Sequence, residues 1–340
     1  MRASALLGVW ALALAGCGGG GATTPTPTSP TPVVTPPPVQ GLNPSACASK
    51  AVATQEIYVA YADHIDVYPL TASGSDCPVR TIRVAVPAQT TVQGIAIGGG
   101  RLFAFLKPPP SPRTTQILVY DAATGTPQPE NTITADVDGE GSIAYASGVP
   151  AVYVASYDIF YGPHINSYAP TPALRNGDPR QNKNYVGGNR STLAVTPDGT
   201  VYTGLESGVQ VYAADAANIG NPGDPIYQTP RPIRTFGPVG GTEAALALAS
   251  DDTAYVGYHA YLDPNNSAIA VYPPNATSST APLRILQITD IRSIAVDASG
   301  DLIVLHNARM DTYAPGGGTL IRTVTATPTT AGPSALALGP

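Results

Sequence analysis

The residues best equipped for chemistry in this chain are its four histidines, His64, His164, His259 and His306. Each has an acid or amide close by in sequence: Asp63, Asp158, Asp263 and Asn307. Imidazole next to carboxylate can hold a metal or move a proton near neutral pH. The spacing matches no metal motif, such as a His pair four residues apart on a helix. Polar loops also gather polar residues without any task, so a ligand-binding set and four unrelated loop residues both stand as readings. Glu243 and Arg292 form a second candidate pair, because both stand at the starts of inner strands in neighbouring repeats. They can satisfy one another as an ion pair or hold a small polar ligand. No Ser-His-Asp order, no Gly-rich phosphate loop ahead of a helix and no Cys pair with zinc spacing occurs. No catalytic residue, metal site or cofactor is therefore assigned.

A repeat must position these residues. Its most telling phrase reads small–aliphatic–Ala–apolar. It occurs as Gly94-Ile95-Ala96-Ile97, Ser142-Ile143-Ala144-Tyr145, Thr192-Leu193-Ala194-Val195, Ala245-Leu246-Ala247-Leu248, Ser293-Ile294-Ala295-Val296 and Ala335-Leu336-Ala337-Leu338. The central Ala recurs at intervals of 42 to 53 residues, the length of one four-stranded propeller blade. Innermost strands converge on an axis, and a small residue there leaves room for its neighbours.

A second strand follows across a Gly- or Asp-rich turn, as in Leu102-Phe103-Ala104 after Gly98-Gly99-Gly100. Such turns supply the positive-φ residues that tight hairpins need. A third strand ends at Tyr68, Tyr120, Tyr168, Tyr212, Tyr272 or Tyr313. Arg followed by Thr or an aliphatic residue marks an outer strand at Arg80, Arg234, Arg284 and Arg322; the repeats near 130 and 180 lack that mark. The chain opens on a second-type strand, Ile57-Tyr58-Val59, and closes on an inner one, Ala335 to Leu338. The predicted fold is thus all-β: a six-bladed β-propeller closed by pairing of the C-terminal inner strand with the N-terminal strands. Closure removes open sheet edges.

In this arrangement the loops between second and third strands share a face with the starts of the inner strands. All four histidines are expected in those loops. Gln93, Gly141, Ser191, Glu243, Arg292 and Pro333 are expected at the inner-strand starts, around the channel mouth.

Composition fits many short strands: 43% hydrophobic, 12% charged, 35 Gly, 36 Pro, and 18 Tyr against 4 Phe. A formal net charge of −6 without any basic run argues against phosphate-backbone binding, so no nucleic-acid partner is expected.

The N-terminus reads as a targeting segment. Arg2 precedes an apolar run, Ala3 to Leu14, too short for a stable membrane span. The run ends in Leu14-Ala15-Gly16-Cys17, which resembles the lipobox of bacterial lipoprotein signals. The resemblance implies a signal peptide over 1–16, cleavage before Cys17 and lipidation of its thiol by acyl chains such as palmitate. The protein is then anchored to a membrane of the bacterial cell envelope, facing the periplasm or exterior. Residues 17–46 form a Gly/Thr/Pro-rich linker, and 47–340 the propeller. The Pro-rich part is extended at ~3.1 Å per residue, giving a reach on the order of 80 Å. Two further cysteines, Cys47 and Cys77, form an even pair that reads as a disulfide in an oxidising compartment; two free thiols are the alternative.

Pro282-Leu283-Arg284 followed by Ser293-Ile294-Ala295-Val296-Asp297-Ala298-Ser299-Gly300 resembles the NHL-type propellers of bacterial exported proteins. The resemblance runs from about Glu56 to Pro340. Such propellers include lactonases, lyases, ligand binders and scaffolds, and fold does not fix function. Two functions are therefore carried forward. The first is a binding or scaffold module for a protein, glycan or small molecule. The second is a metal-assisted, lactonase-like hydrolase or lyase on the His-bearing face. Gluconolactonase-type propellers hold a divalent cation with Glu, Asn and Asp at the mouth. Only Glu243 stands near that ring here.

Overall fold

The computed structural model describes residues 55–339, apart from residue 89 and the segments 108–113, 129–131, 137–140, 159–161, 171–180, 185–191, 206–207, 218–228, 238–240, 261–262 and 326–331. Cys17, Cys47 and the segments assigned to signal and linker lie outside the described residues.

Six four-stranded antiparallel sheets make up the described chain, and no helix occurs among the described residues. The inner strands are Val92–Gly98, Ser142–Ala146, Thr192–Val195, Gly241–Leu248, Ile291–Val296 and Ala335–Gly339. Each touches the inner strand of the next sheet, and the last returns to the first, so the sheets are blades around one axis. Blade 1 is completed from both chain ends. Ala335–Gly339 pairs with Glu56–Ala60 in a register that sets Tyr58 opposite Ala337. The remaining strands of blade 1 are His64–Pro69 and Arg80–Arg83. A second seam lies further out. Gly74, in the turn after the third strand of blade 1, makes a parallel bridge to Val324 in the outer strand of blade 6. It donates to the Thr323 carbonyl at 2.6 Å and accepts from the Thr325 amide at 2.9 Å.

The buried residues divide into six clusters, one in each gap between blades. Neighbouring residues of an inner strand face opposite gaps. The aliphatic residue of the repeat phrase points to the preceding blade, and the Ala points to the following one. Ala96 shares a cluster with Ile143, Ala144 with Leu193, and Ala194 with Leu246. Ala247 pairs likewise with Ile294, Ala295 with Leu336, and Ala337 with Ile95. The reason for Ala is therefore not crowding at the axis. Each Ala is the small half of a large–small pair where the wedge between blades is narrowest.

Outer strands occur at Ile133–Asp136 and Gln181–Asn184, the two repeats without the Arg mark. At Arg80, Arg234 and Arg284 the Arg is a clasp between blades. Arg80 donates to the Tyr58 hydroxyl in its own blade and to the Ala122 carbonyl in blade 2. Arg234 donates to the Tyr202 hydroxyl and, at 2.7 Å, to Asn275 Oδ1 of blade 5. Arg284 reaches the Gly317 carbonyl of blade 6 at 2.7 Å.

The Gly98-Gly99-Gly100 turn uses its glycines in two ways. Gly99 and Gly100 have φ of 58° and 73°, as a tight hairpin requires. Gly98 instead lies under the Tyr145 ring of blade 3, which a Cβ at that position would overlap. Gly98→Ala is expected to cost about 1–3 kcal/mol through overpacking. Gly100→Asn, with open space around the site and a side chain that tolerates positive φ, is expected to cost much less. Urea midpoints of the two variants check this; equal midpoints would contradict it.

Candidate functional site at the channel mouth

One end of the channel opens into a cavity of about 710 Å³ to which all six blades contribute. Its wall includes six aliphatic residues, one per inner strand: Ile95, Ile143, Leu193, Leu246, Ile294 and Leu336. All are buried, with 5–8% exposure, so each shows only an edge to the cavity. Above the ring the lining turns polar, with Gln93, Thr192, His259, Asp290, Arg292 and Lys107 among it.

Backbone irregularities aim two of these groups. The inner strands of blades 2, 5 and 6 carry a register shift at one repeat position, around Gln93, Ala244 and Arg292. In blade 2, Val92 faces Leu106 while Gly94 faces Phe105, so Gln93 is the extra residue. In blade 6, Ile291 faces His306 while Ser293 faces Leu305, so Arg292 is the extra residue. A β-bulge bends its strand and re-aims the bulged side chain. Asp290, just before the second bulge, sits at φ 54°. Its Oδ2 accepts from Arg292 Nε and Nη2, both at 3.3 Å. Two polar atoms of cavity-lining residues, Gln93 Oε1 and Thr192 Oγ1, are buried and have no hydrogen-bond partner among the described residues. Such atoms are uncommon in native proteins and point to a missing partner.

The expected histidine set is spread over separate environments. None of the four lies in a loop: His64 opens a third strand, His164 lies within one, His259 is next to last in a second strand and His306 closes one. The strands run further into the hairpins than their apolar patterns suggest. His259 alone among the four lines the cavity. His64 stacks on Tyr61, with ring centroids 4.6 Å apart, and its Nδ1 lies 2.7 Å from Asp63 Oδ1. That contact is the main reason the Asp63 carboxyl is held below its ordinary range. His164 is buried inside blade 3. His306 is buried with Nε2 2.8 Å from Asp311 Oδ2. Asp311 also accepts from the Thr323 hydroxyl at 2.6 Å. The same Thr–Asp contact recurs in blade 1, where the Thr81 hydroxyl donates to Asp66 at 2.6 Å. The Asp–Thr contact of His306's network is thus shared by two blades, and its sequence sign is an Asp two residues before the third-strand Tyr.

Of the residues expected at the inner-strand starts, Gln93, Gly141 and Arg292 line the cavity. Pro333 is buried, and Ser334 lines the wall beside it. Ser191 and the side chain of Glu243 lie outside the described residues. Arg292 finds Asp290 of its own turn. Thr192, Lys107 and Asp290 were not singled out by sequence. Thr192 had a sign, since it fills the small position of the repeat phrase. Among the described residues, no group of three or more His, Cys, Asp or Glu is arranged to hold a metal ion.

These features define a six-bladed β-propeller with a cup of small-molecule size at one end of its axis. No family model matches the chain, and no curated protein matches it in sequence. Among solved structures it is similar to a protein of unknown function from Bacteroides caccae, at 10% identity and a TM-score of 0.56, covering 84% of this chain and 98% of that one. It is also similar to the periplasmic gluconolactonase of Pseudomonas aeruginosa, at 14% identity and a TM-score of 0.53, covering 84% and 99%. At these identities the likeness is one of fold.

Proposed function

We propose that the protein is a lipoprotein of the bacterial cell envelope whose propeller is a binding module, with its ligand held in the channel mouth. The observation that carries this reading is the cup itself. All six blades build it, bulges set Gln93 and Arg292 on its wall, and two of its lining residues, Gln93 and Thr192, carry buried polar atoms without a partner among the described residues. Deep concave sites with an apolar lining and a few placed polar groups are where small molecules bind. The anchor follows from the lipobox ending at Cys17, and the linker over 17–46 holds the propeller off the membrane. Two or more acyl chains give lasting attachment where one gives only marginal binding.

The competing reading is a lactonase-like, metal-assisted enzyme, for which the gluconolactonase of similar fold and the place of His259 on the cavity speak. Glucono-δ-lactone hydrolysis, with and without added divalent cations, separates the two. The binding reading expects no rate above the uncatalysed one. A rate that falls on His259→Ala or Glu243→Ala would replace it with the enzyme reading.

A Cys47–Cys77 bridge belongs to the same proposal. Cys47 and Cys77 are the two cysteines left after Cys17, an even pair in the oxidising compartment that this reading implies. Thiol titration of the denatured, unreduced protein carrying Cys17→Ser should find no free thiol. Two free thiols per chain would refute the bridge.

A further inference from the structure

We infer that the ligand of this mouth is a compact carboxylate with an apolar body, an inference that rests on the binding reading above. The cup has two levels of opposite character. Below, six aliphatic residues, one from each inner strand, each show an apolar edge to the cavity. They show little surface to solvent because each is wedged against the Ala of the preceding blade. Those edges offer apolar contact, and covering them with hydrocarbon gains the usual transfer free energy.

Above the ring, Arg292 is set on a bulge with its side chain 43% exposed. Its contacts with Asp290 are long, at 3.3 Å, and use only Nε and Nη2. A guanidinium has five N–H donors in a planar fork that matches a carboxylate. An entering carboxylate can therefore bind Arg292 without first breaking a tight ion pair. Gln93 and Thr192, in blades 2 and 4, also line the cavity, and Gln93 Oε1 and Thr192 Oγ1 are buried without a hydrogen-bond partner among the described residues. The bulges matter because they place polar groups on the wall two residues before the aliphatic residue of the same strand.

The probes are acetate, butanoate, hexanoate and gluconate, titrated into the full chain carrying Cys17→Ser at constant ionic strength. Affinity should rise from acetate to hexanoate by up to about fourfold for each methylene that is buried. Gluconate, with as many carbons as hexanoate but hydroxylated, should bind more weakly than hexanoate. Arg292→Ala should weaken hexanoate by about tenfold or more, as expected for loss of a hydrogen bond to a charged group. An unchanged unfolding midpoint would show that this exposed variant still folds. Gluconate binding as tightly as hexanoate, no rise with chain length, or hexanoate binding unchanged by Arg292→Ala would each overturn the inference. Tight gluconate binding that Arg292→Ala abolishes would do so while leaving the binding reading intact. Binding of none of the four probes would also overturn it.

Discussion

Deleting residues 335–340 is expected to leave no folded monomer. The closing strand is the inner strand of blade 1, and its five residues pair with Glu56–Ala60. Every residue of Glu56–Ala60 is buried. Losing the partner exposes that strand as an open, apolar edge, the kind of edge that recruits other chains. The damage extends to both neighbouring gaps. Leu336 leaves the cluster holding Ile57 and Val59, and Ala337 leaves the one holding Ile95. Burial of a large aliphatic side chain contributes about 1.5–3 kcal/mol. Several such losses remove a large share of the ~5–15 kcal/mol that a domain typically has. Size-exclusion chromatography and urea unfolding check this outcome. A soluble monomer with the parent midpoint would contradict closure by this strand.

Glu56→Ala is expected to cost about 3–5 kcal/mol, the usual penalty for removing one member of a buried ion pair. The Glu56 carboxylate is 1% exposed and accepts both ends of the Arg80 fork, at 2.7 and 2.6 Å. Arg80 also donates to the Tyr58 hydroxyl at 2.7 Å and to the Ala122 carbonyl at 2.8 Å. Tyr58 in turn donates to Glu56 Oε2 at 3.0 Å. Removing the carboxylate strands a guanidinium that is only 21% exposed, still tied to neutral oxygens. Burial raises the Tyr58 hydroxyl pKa well above its ordinary value, so the phenol cannot supply the missing negative charge near neutral pH. Glu56→Ala combined with Arg80→Leu should recover part of the loss, because no charge is then left unpaired. A single-variant loss below about 1 kcal/mol would mean that the pair behaves as a surface bridge. Urea denaturation of the single and double variants measures both.

The ring was legible because its constraint is local and repeated. Where two blades converge, one residue must be large and the facing one small, and this writes an aliphatic–Ala step into each inner strand. The Tyr58–Ala337 pairing followed from counting half-blades at the two ends. Strands at Ile133–Asp136 and Gln181–Asn184 were hard to see because the Arg mark belongs to the clasp and not to the strand. An outer strand without a clasp keeps no signature beyond a short, mixed sequence.

The site was less legible. Arg292 and Gln93 could be placed near the mouth from the repeat, but their bulges depend on the register of the second strand, which no inner-strand residue encodes alone. The histidines misled because a hairpin's ladder continues past its apolar residues. His306 looks like a loop residue until Asp311, five positions on, is brought across the strand pair to meet it.

A crystal structure of the full chain carrying Cys17→Ser, grown with hexanoate, should show the ligand in the channel mouth. The carboxylate should lie within hydrogen-bond distance of Arg292 and the alkyl chain against Leu193, Leu246 and Ile294. Hexanoate bound away from the mouth, or a mouth that admits no ligand while the outer surface does, would contradict that placement.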